Sequence, residues 1–235
     1  MQFIYFTPLV FQTLVYPCTW IAFRFFTHIR IRGLEHVRGM KNGALFAVNH
    51  SSELNPILVP ATLPFLSRLM PMFYVSRETA FYLRDGKKRF SLKQILYGGT
   101  FFKLWGAYPA TVGLGDYDLA LRHHIKILND RRSVCIFPEG KITRDGFIGE
   151  GKPGVAHLLW RTGVPVIPVA IRGDYRITLR EIFLRKRTIT VSYGAPIASS
   201  EVFETALKEG RPPTLEELKN ATSLIMARIR VMWEA

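Results

Sequence analysis

The stretch Ala44-Leu45-Phe46-Ala47-Val48-Asn49-His50-Ser51-Ser52-Glu53-Leu54-Asn55-Pro56 decides the fold. Five apolar residues, 44–48, make a run of strand length that stops at Asn49 and His50. A Ser-rich cap then opens a helix expected over 51–64. Strand, polar turn and helix in that order are the unit of an α/β sheet. Outward from it the alternation continues. Strands are expected at 72–76 and 106–111, with a helix at 92–102 between them. The segment 116–129 has Leu119, Ile125 and Leu128 at helical spacing, capped by Asp116 or Asp118. A buried strand at 133–137 runs into Pro138-Glu139-Gly140, a helix follows at 154–162, and strands are expected at 164–171 and 188–193. The chain closes on an amphipathic helix, 214–233, with Leu218, Leu224, Ile225, Ile229 and Met232 on or near one face. Segments 178–187 and 198–213 read as connections. Strands this uniformly apolar need cover on both faces. The fold expected is therefore α/β: a mixed, mostly parallel sheet flanked by helices.

Composition narrows the partners. Among 235 residues, Lys and Arg outnumber Asp and Glu by 32 to 18, a formal charge of +14 that favours anionic partners. Hydrophobic residues make up 48% of the chain, too few for a protein of many membrane spans. Two cysteines, Cys18 and Cys135, stand far apart with no His or Cys at metal-ligand spacing, so neither a disulfide framework nor a metal site is expected. A reducing cytosolic face fits that usage.

The N-terminus is the other unusual region. No charged residue occurs from Gln2 to Phe23, and nine of the first 26 positions are Phe, Tyr or Trp. That is long enough for a span, which needs roughly 20 apolar residues. Pro8 and Pro17 each remove a backbone donor. Two broken helices dipped into one leaflet are expected, rather than one straight span. Arg24, His28, Arg30 and Arg32 follow at once and suit anionic headgroups. A buried core helix is the competing reading. The organisation expected is a membrane-anchoring helical segment at 1–31 and one domain at 32–235, held on the cytoplasmic face of the cell inner membrane as a monotopic or peripheral protein.

Three segments carry chemistry. Asn49-His50-Ser51-Ser52-Glu53-Leu54-Asn55 lies just beyond a strand, where a histidine can take a proton from a substrate hydroxyl. A lone His after a strand is also a common structural residue. Phe137-Pro138-Glu139-Gly140-Lys141-Ile142-Thr143-Arg144 ends another strand. Its Gly and Pro allow a tight turn, and Lys141, Thr143 and Arg144 offer donors to a phosphate. A solvated charged turn would look the same. Val164-Pro165-Val166-Ile167-Pro168-Val169 is by itself a buried strand.

In this order and spacing the three segments resemble the glycerophospholipid acyltransferase family, the lysophosphatidic acid acyltransferase-like proteins. Its members carry Asn-His-x-Ser-x-x-Asp, a Phe-Pro-Glu-Gly-Thr-Arg-Ser block and a Val-Pro-x-x-Pro-Val strand. Gly151-Lys152-Pro153-Gly154 and Val75-Ser76-Arg77-Glu78 resemble its minor segments, and the likeness runs over residues 32–196. It implies transfer of a fatty acyl group from acyl-CoA or acyl carrier protein to a lysophospholipid such as 1-acylglycerol-3-phosphate, in phospholipid biosynthesis, with no cofactor and no metal. It makes His50 and Asn55 the catalytic pair. Glu139, Gly140, Lys141, Thr143 and Arg144 become the acceptor site, with Asn49, Ser52 and Glu53 as supporting or alternative orienting residues.

The departures carry information too. Asn55 stands where the family has aspartate. An amide oxygen can orient a histidine ring but brings no charge, and the equivalent Asp-to-Asn change in a serine protease costs about 10⁴ in turnover. Three readings stay open: Asn55 orients His50 itself, Glu53 or another carboxylate replaces it, or the chain is a weakened member acting as a membrane-bound lipid- or acyl-CoA-binding protein. Lys141 and Ile142 stand in place of Thr and Arg, and 106–112 lacks the Arg of a further acceptor segment. Lys gives a point charge where Arg forks a phosphate. A nucleic-acid partner is not expected, because the basic residues are scattered and no recognition motif accompanies them. No Gly-x-Ser-x-Gly elbow is present for a serine hydrolase.

Overall fold

The computed structural model describes residues 3–76, 104–111 and 115–235. The helix expected at 92–102, and residues 77, 78 and 112 of the quoted segments, lie outside them. In chain order the described elements are α1 (Phe3–Phe26), β1 (His28–Arg32), α2 (Glu35–Arg38), β2 (Leu45–Val48), α3 (Asn55–Thr62), β3 (Met72–Ser76), β4 (Ala107–Pro109), α4 (Tyr117–Asn129), β5 (Ser133–Ile136), α5 (Gly154–Thr162), β6 (Val166–Arg172), α6 (Leu179–Phe183), β7 (Thr188–Tyr193), α7 (Ser199–Val202), α8 (Glu204–Lys208) and α9 (Leu215–Glu234).

The strands join in one sheet of order β1-β7-β6-β2-β5-β3-β4. Five of them, β6-β2-β5-β3-β4, run parallel, while β7 lies antiparallel to β6 and β1 parallel to β7. A mixed, mostly parallel sheet covered by helices is the architecture expected. Residue alternation explains its double burial. Leu45 and Ala47 of β2 point into a core shared with Leu121 of α4, Leu158 of α5 and Ile225 of α9. Phe46 and Val48 point into the opposite core, with Leu58 and Val59 of α3. Every residue of β2 is buried, which is why the strand is apolar without alternation.

Local chemistry sets the helix ends. Asp116 accepts hydrogen bonds from the backbone N–H groups of Asp118 and Leu119, capping α4. Thr214 and Glu217 form a capping box at α9, and α5 stops at Gly163, whose φ of 65° suits glycine. The connections expected at 178–187 and 198–213 contain the short helices α6, α7 and α8.

Two N-terminal expectations change. The expected pair of broken helices is one continuous helix, α1, with Pro8 and Pro17 inside it. A proline removes one intrahelical bond, and here tertiary contacts hold the helix on either side. Tyr5, Pro8, Gln12 and Tyr16 form a buried stripe at spacings of three and four. Gln12 donates to the carbonyls of Met72 and Trp105, both at 2.7 Å, and accepts from Met72 N–H at 2.9 Å. The Tyr16 hydroxyl donates to the Leu63 carbonyl at 2.6 Å, and that of Tyr5 to Asp130. Secondly, the boundary expected after residue 31 falls inside β1, which pairs with β7 from His28 to Arg32. The N-terminal helix is therefore docked along the domain. Its outer face leaves Phe6, Phe11, Leu14, Trp20, Ile21 and Phe25 exposed.

Candidate active site

Three neighbouring parallel strands, β6, β2 and β5, end side by side. Each delivers a polar residue just beyond its C-terminal end: Asp174, His50 and Glu139. This edge of an open parallel sheet is where such folds place ligands. Asn49 sets its geometry by behaving as one more ladder residue. Its side chain donates to the Ile171 carbonyl at 2.9 Å and accepts from Ile171 N–H at 2.7 Å, fastening β2 to β6.

His50 is held from four sides. Its backbone N–H donates to Glu139 Oε1 at 2.9 Å, and its carbonyl accepts from Thr143 N–H at 2.8 Å. The ring stacks on Phe137, with centroids 4.1 Å apart and planes inclined by 19°. Its Nδ1 lies 3.1 Å from Asn55 Oδ1. That oxygen also accepts from the N–H groups of Ser51 and Ser52, each at 2.9 Å. Two backbone donors can face only the oxygen end of the amide, so the orientation of Asn55 is fixed. Nδ1 must therefore be the protonated ring nitrogen, and the neutral ring carries its lone pair on Nε2. An asparagine here selects the tautomer that a base needs.

Glu139 is a buried clasp between two loops, accepting from His50 N–H and, through Oε2, from Gly149 N–H at 3.0 Å. Burial pushes its carboxyl above the usual range, against the pull of those two N–H groups and of Arg230. Gly140 turns the chain at a φ of 67°, and a methyl group there would meet Lys152 Nζ at 3.0 Å. The Lys152 ammonium therefore lies across the Pro-Glu-Gly turn, a cation that the sequence reading quoted only as part of a minor segment. Lys141 and Arg144 are exposed on the loop that follows. Thr143 is engaged within that loop, its hydroxyl donating to Asp145 at 2.7 Å and accepting from Gly146 N–H at 3.2 Å.

Of the alternative orienting residues, Glu53 is exposed, while the ring nitrogen Nδ1 meets Asn55. Ser52 turns toward a residue that sequence reading missed. Asp174, completely buried, accepts from the hydroxyls of Ser51 at 2.7 Å and Ser52 at 2.6 Å, and from the Asn55 amide at 2.6 Å. The available signal was positional: Arg172-Gly173-Asp174 directly follows an apolar strand, as His50 and Glu139 do. Among the described residues no cluster of His, Cys, Asp or Glu is arranged to hold a metal ion.

A family model described as Acyltransferase matches residues 28–172. The chain is 23% identical over 175 residues to a 1-acyl-sn-glycerol-3-phosphate acyltransferase of Limnanthes douglasii, covering 74% of this chain and 56% of that protein. It is 30% identical over 100 residues to the chloroplastic 1-acyl-sn-glycerol-3-phosphate acyltransferase LPAT1 of Arabidopsis thaliana, covering 42% of this chain and 28% of that one. The chain thus spans about half the length, or less, of these curated relatives. The crystal structure of the 1-acyl-sn-glycerophosphate (LPA) acyltransferase PlsC from Thermotoga maritima is similar with a TM-score of 0.63 at 16% identity. That match covers 96% of this chain and 86% of the other, and it shows a shared fold.

Proposed function

The chain belongs to the acyltransferase family, and on that premise we propose that it moves a fatty acyl group from an acyl thioester to the hydroxyl of a lysophospholipid such as 1-acylglycerol-3-phosphate, in phospholipid biosynthesis. The tautomer imposed on His50 is the observation that supports this reading, since it leaves Nε2 able to accept a proton at the open edge of the sheet. Nε2 takes the acceptor's hydroxyl proton as that oxygen bonds to the thioester carbonyl carbon. The tetrahedral adduct then collapses, the carbon–sulfur bond breaks, and the imidazolium returns its proton to the departing thiolate. Acyl-CoA or acyl carrier protein is the co-substrate, and the scheme uses no further cofactor. Lys141, Arg144 and Lys152 are the cations for an anionic headgroup, beside a turn shaped by Glu139 and Gly140.

The test is an acceptor screen with purified protein and both donors, read by mass spectrometry. Acylated lysophosphatidate is the expected product; thioester hydrolysis with every acceptor would overturn the reading. In the same assay Lys141→Ala with Arg144→Ala should raise the acceptor KM by about tenfold or more, the scale of lost hydrogen bonds to a charged group. Donor KM should change little, and equal effects on both substrates would remove these cations from the acceptor site.

The outer face of α1 carries the membrane reading. The helix is long and apolar enough to cross a bilayer, at 24 residues or about 36 Å, yet its buried stripe ties it along the domain. In this proposal it lies in the interfacial layer of the cytoplasmic leaflet of the inner membrane, its exposed aromatic face in the lipid. Phe65 and Leu66 extend that face, and Lys41, Arg68, Arg131 and Arg132 line a pocket with them and α1, as anionic lipids require. Changing Leu14, Trp20 and Phe25 together to Glu should lower binding to phosphatidylglycerol vesicles at least tenfold, since each buried apolar side chain is worth about 1.5–3 kcal/mol. The three side chains are exposed, so folding should persist. Undiminished cosedimentation of the folded variant would refute the interfacial placement.

A further inference from the structure

The carboxylate that Asn55 lacks stands directly behind it. We propose that Asp174 is a positioning residue that acts on His50 through the Asn55 amide, so that His50, Asn55 and Asp174 work as one relay. This deepens the acyl-transfer reading and rests on it for its kinetic arm.

Asn55 is completely buried, and its described contacts divide by chemistry. Its oxygen takes the Ser51 and Ser52 N–H groups and faces His50 Nδ1, while its nitrogen donates to Asp174 Oδ2 at 2.6 Å. Asp174 takes two hydroxyl protons besides. Three donors on two oxygens suit a carboxylate, which accepts only. Among the described residues no Lys or Arg forms an ion pair with Asp174. A buried carboxylate with no paired cation is costly, and this one is aimed along the amide toward the ring where positive charge develops. Negative charge behind the amide polarises it, so Oδ1 becomes a better acceptor for the imidazolium N–H. The arrangement also explains why residue 55 is an amide here. An aspartate would set a second carboxylate 2.6 Å from the first, and two such groups cannot both ionise.

That reasoning gives a charge-exchange experiment. Asp174→Asn removes the carboxylate, and Asn55→Asp sets a second one against it, where the two cannot both ionise. Each single variant should lose roughly 10- to 100-fold in kcat, by analogy with partners one contact behind a metal-bound histidine, with acceptor KM little changed. The double variant N55D/D174N moves the carboxylate to position 55 and the amide to 174, so the contact between the two side chains again joins an N–H to an oxygen, with the Ser52 hydroxyl turning to accept from the new amide. It should recover most of the rate. A purely structural clamp would show no such recovery, and a double variant no better than either single one would overturn the relay, as would full activity in D174N.

A second arm does not depend on turnover. In nitrogen-labelled protein, the His50 ring should titrate at lower pH in D174N than in the unchanged chain, because the lost charge had favoured the imidazolium. Glu139 is bonded to His50 through the backbone N–H, and Asp145 and Glu53 lie on the adjoining loops; all three are retained in every variant. An unchanged titration midpoint would overturn the relay even if no acceptor is found. A shifted midpoint with no acyl transfer would keep the relay and reject the transfer reading.

Discussion

His50→Ala is expected to lower kcat by about 10² to 10⁴-fold, the usual contribution of a positioned general base, while leaving the fold nearly intact. The two parts of this expectation have separate physical sources. The loss follows from Nε2, the only ring nitrogen that Asn55 leaves unprotonated. The retained fold follows from the backbone. His50 N–H still donates to Glu139 and its carbonyl still accepts from Thr143 when the side chain is a methyl group. The stability lost includes the stack on Phe137 and the Nδ1–H bond to Asn55, each worth about 0.5–1.5 kcal/mol. The measurement is kcat for the best acceptor, paired with a denaturant titration of the same preparation. A folded variant with near-normal turnover would remove His50 from the reaction.

Gly173→Ala should have a large effect on stability, about 2–5 kcal/mol. Gly173 has a φ of 95°, and an added methyl group would sit 2.1 Å from the carbonyl oxygen of Thr188. Backbone on both sides leaves nothing flexible to yield, so overpacking, about 1–3 kcal/mol, adds to a positive-φ penalty of about 1–2 kcal/mol. Relief would have to come from parting the ends of β6 and β7, and Asp174 is the next residue. Activity should therefore fall with stability, through the same relay. Gly39→Ala is the control, since its methyl group would meet nothing within 4 Å. The check is the unfolding midpoint in urea at constant slope; equal midpoints for the two variants would show that the β6–β7 corner adapts.

These two residues mark where the sequence was sufficient and where it was not. The run 44–48 was legible because it is buried on both faces and so is apolar without interruption, and the strands at 72–76 and 188–193 were legible from their β-branched and aromatic residues. His50, Asn55 and Glu139 were legible because each belongs to a short local block next to such a run. The antiparallel turn of β7 was not legible, and neither was β1. Its sequence, His-Ile-Arg-Ile-Arg, is basic and its residues are mostly exposed, so it reads as a headgroup contact. Pairing with β7 is what makes it a strand.

Asn55 shows the division most sharply. By itself the sequence determined that an amide occupies the place of a family carboxylate, and it left three explanations open. The tertiary structure gave that amide a partner the sequence did not point to, bringing Asp174 to within 2.6 Å of it across 119 positions of chain. It likewise kept α1 continuous through Pro8 and Pro17, because a stripe of contacts to residues far along the chain outweighs the bonds the prolines remove. The physical reason is the same in both cases. Periodicity, caps and motif spacing are properties of neighbouring residues and can be read in order. A buried charge or a docked helix is stabilised by groups that only the packed sheet makes neighbours.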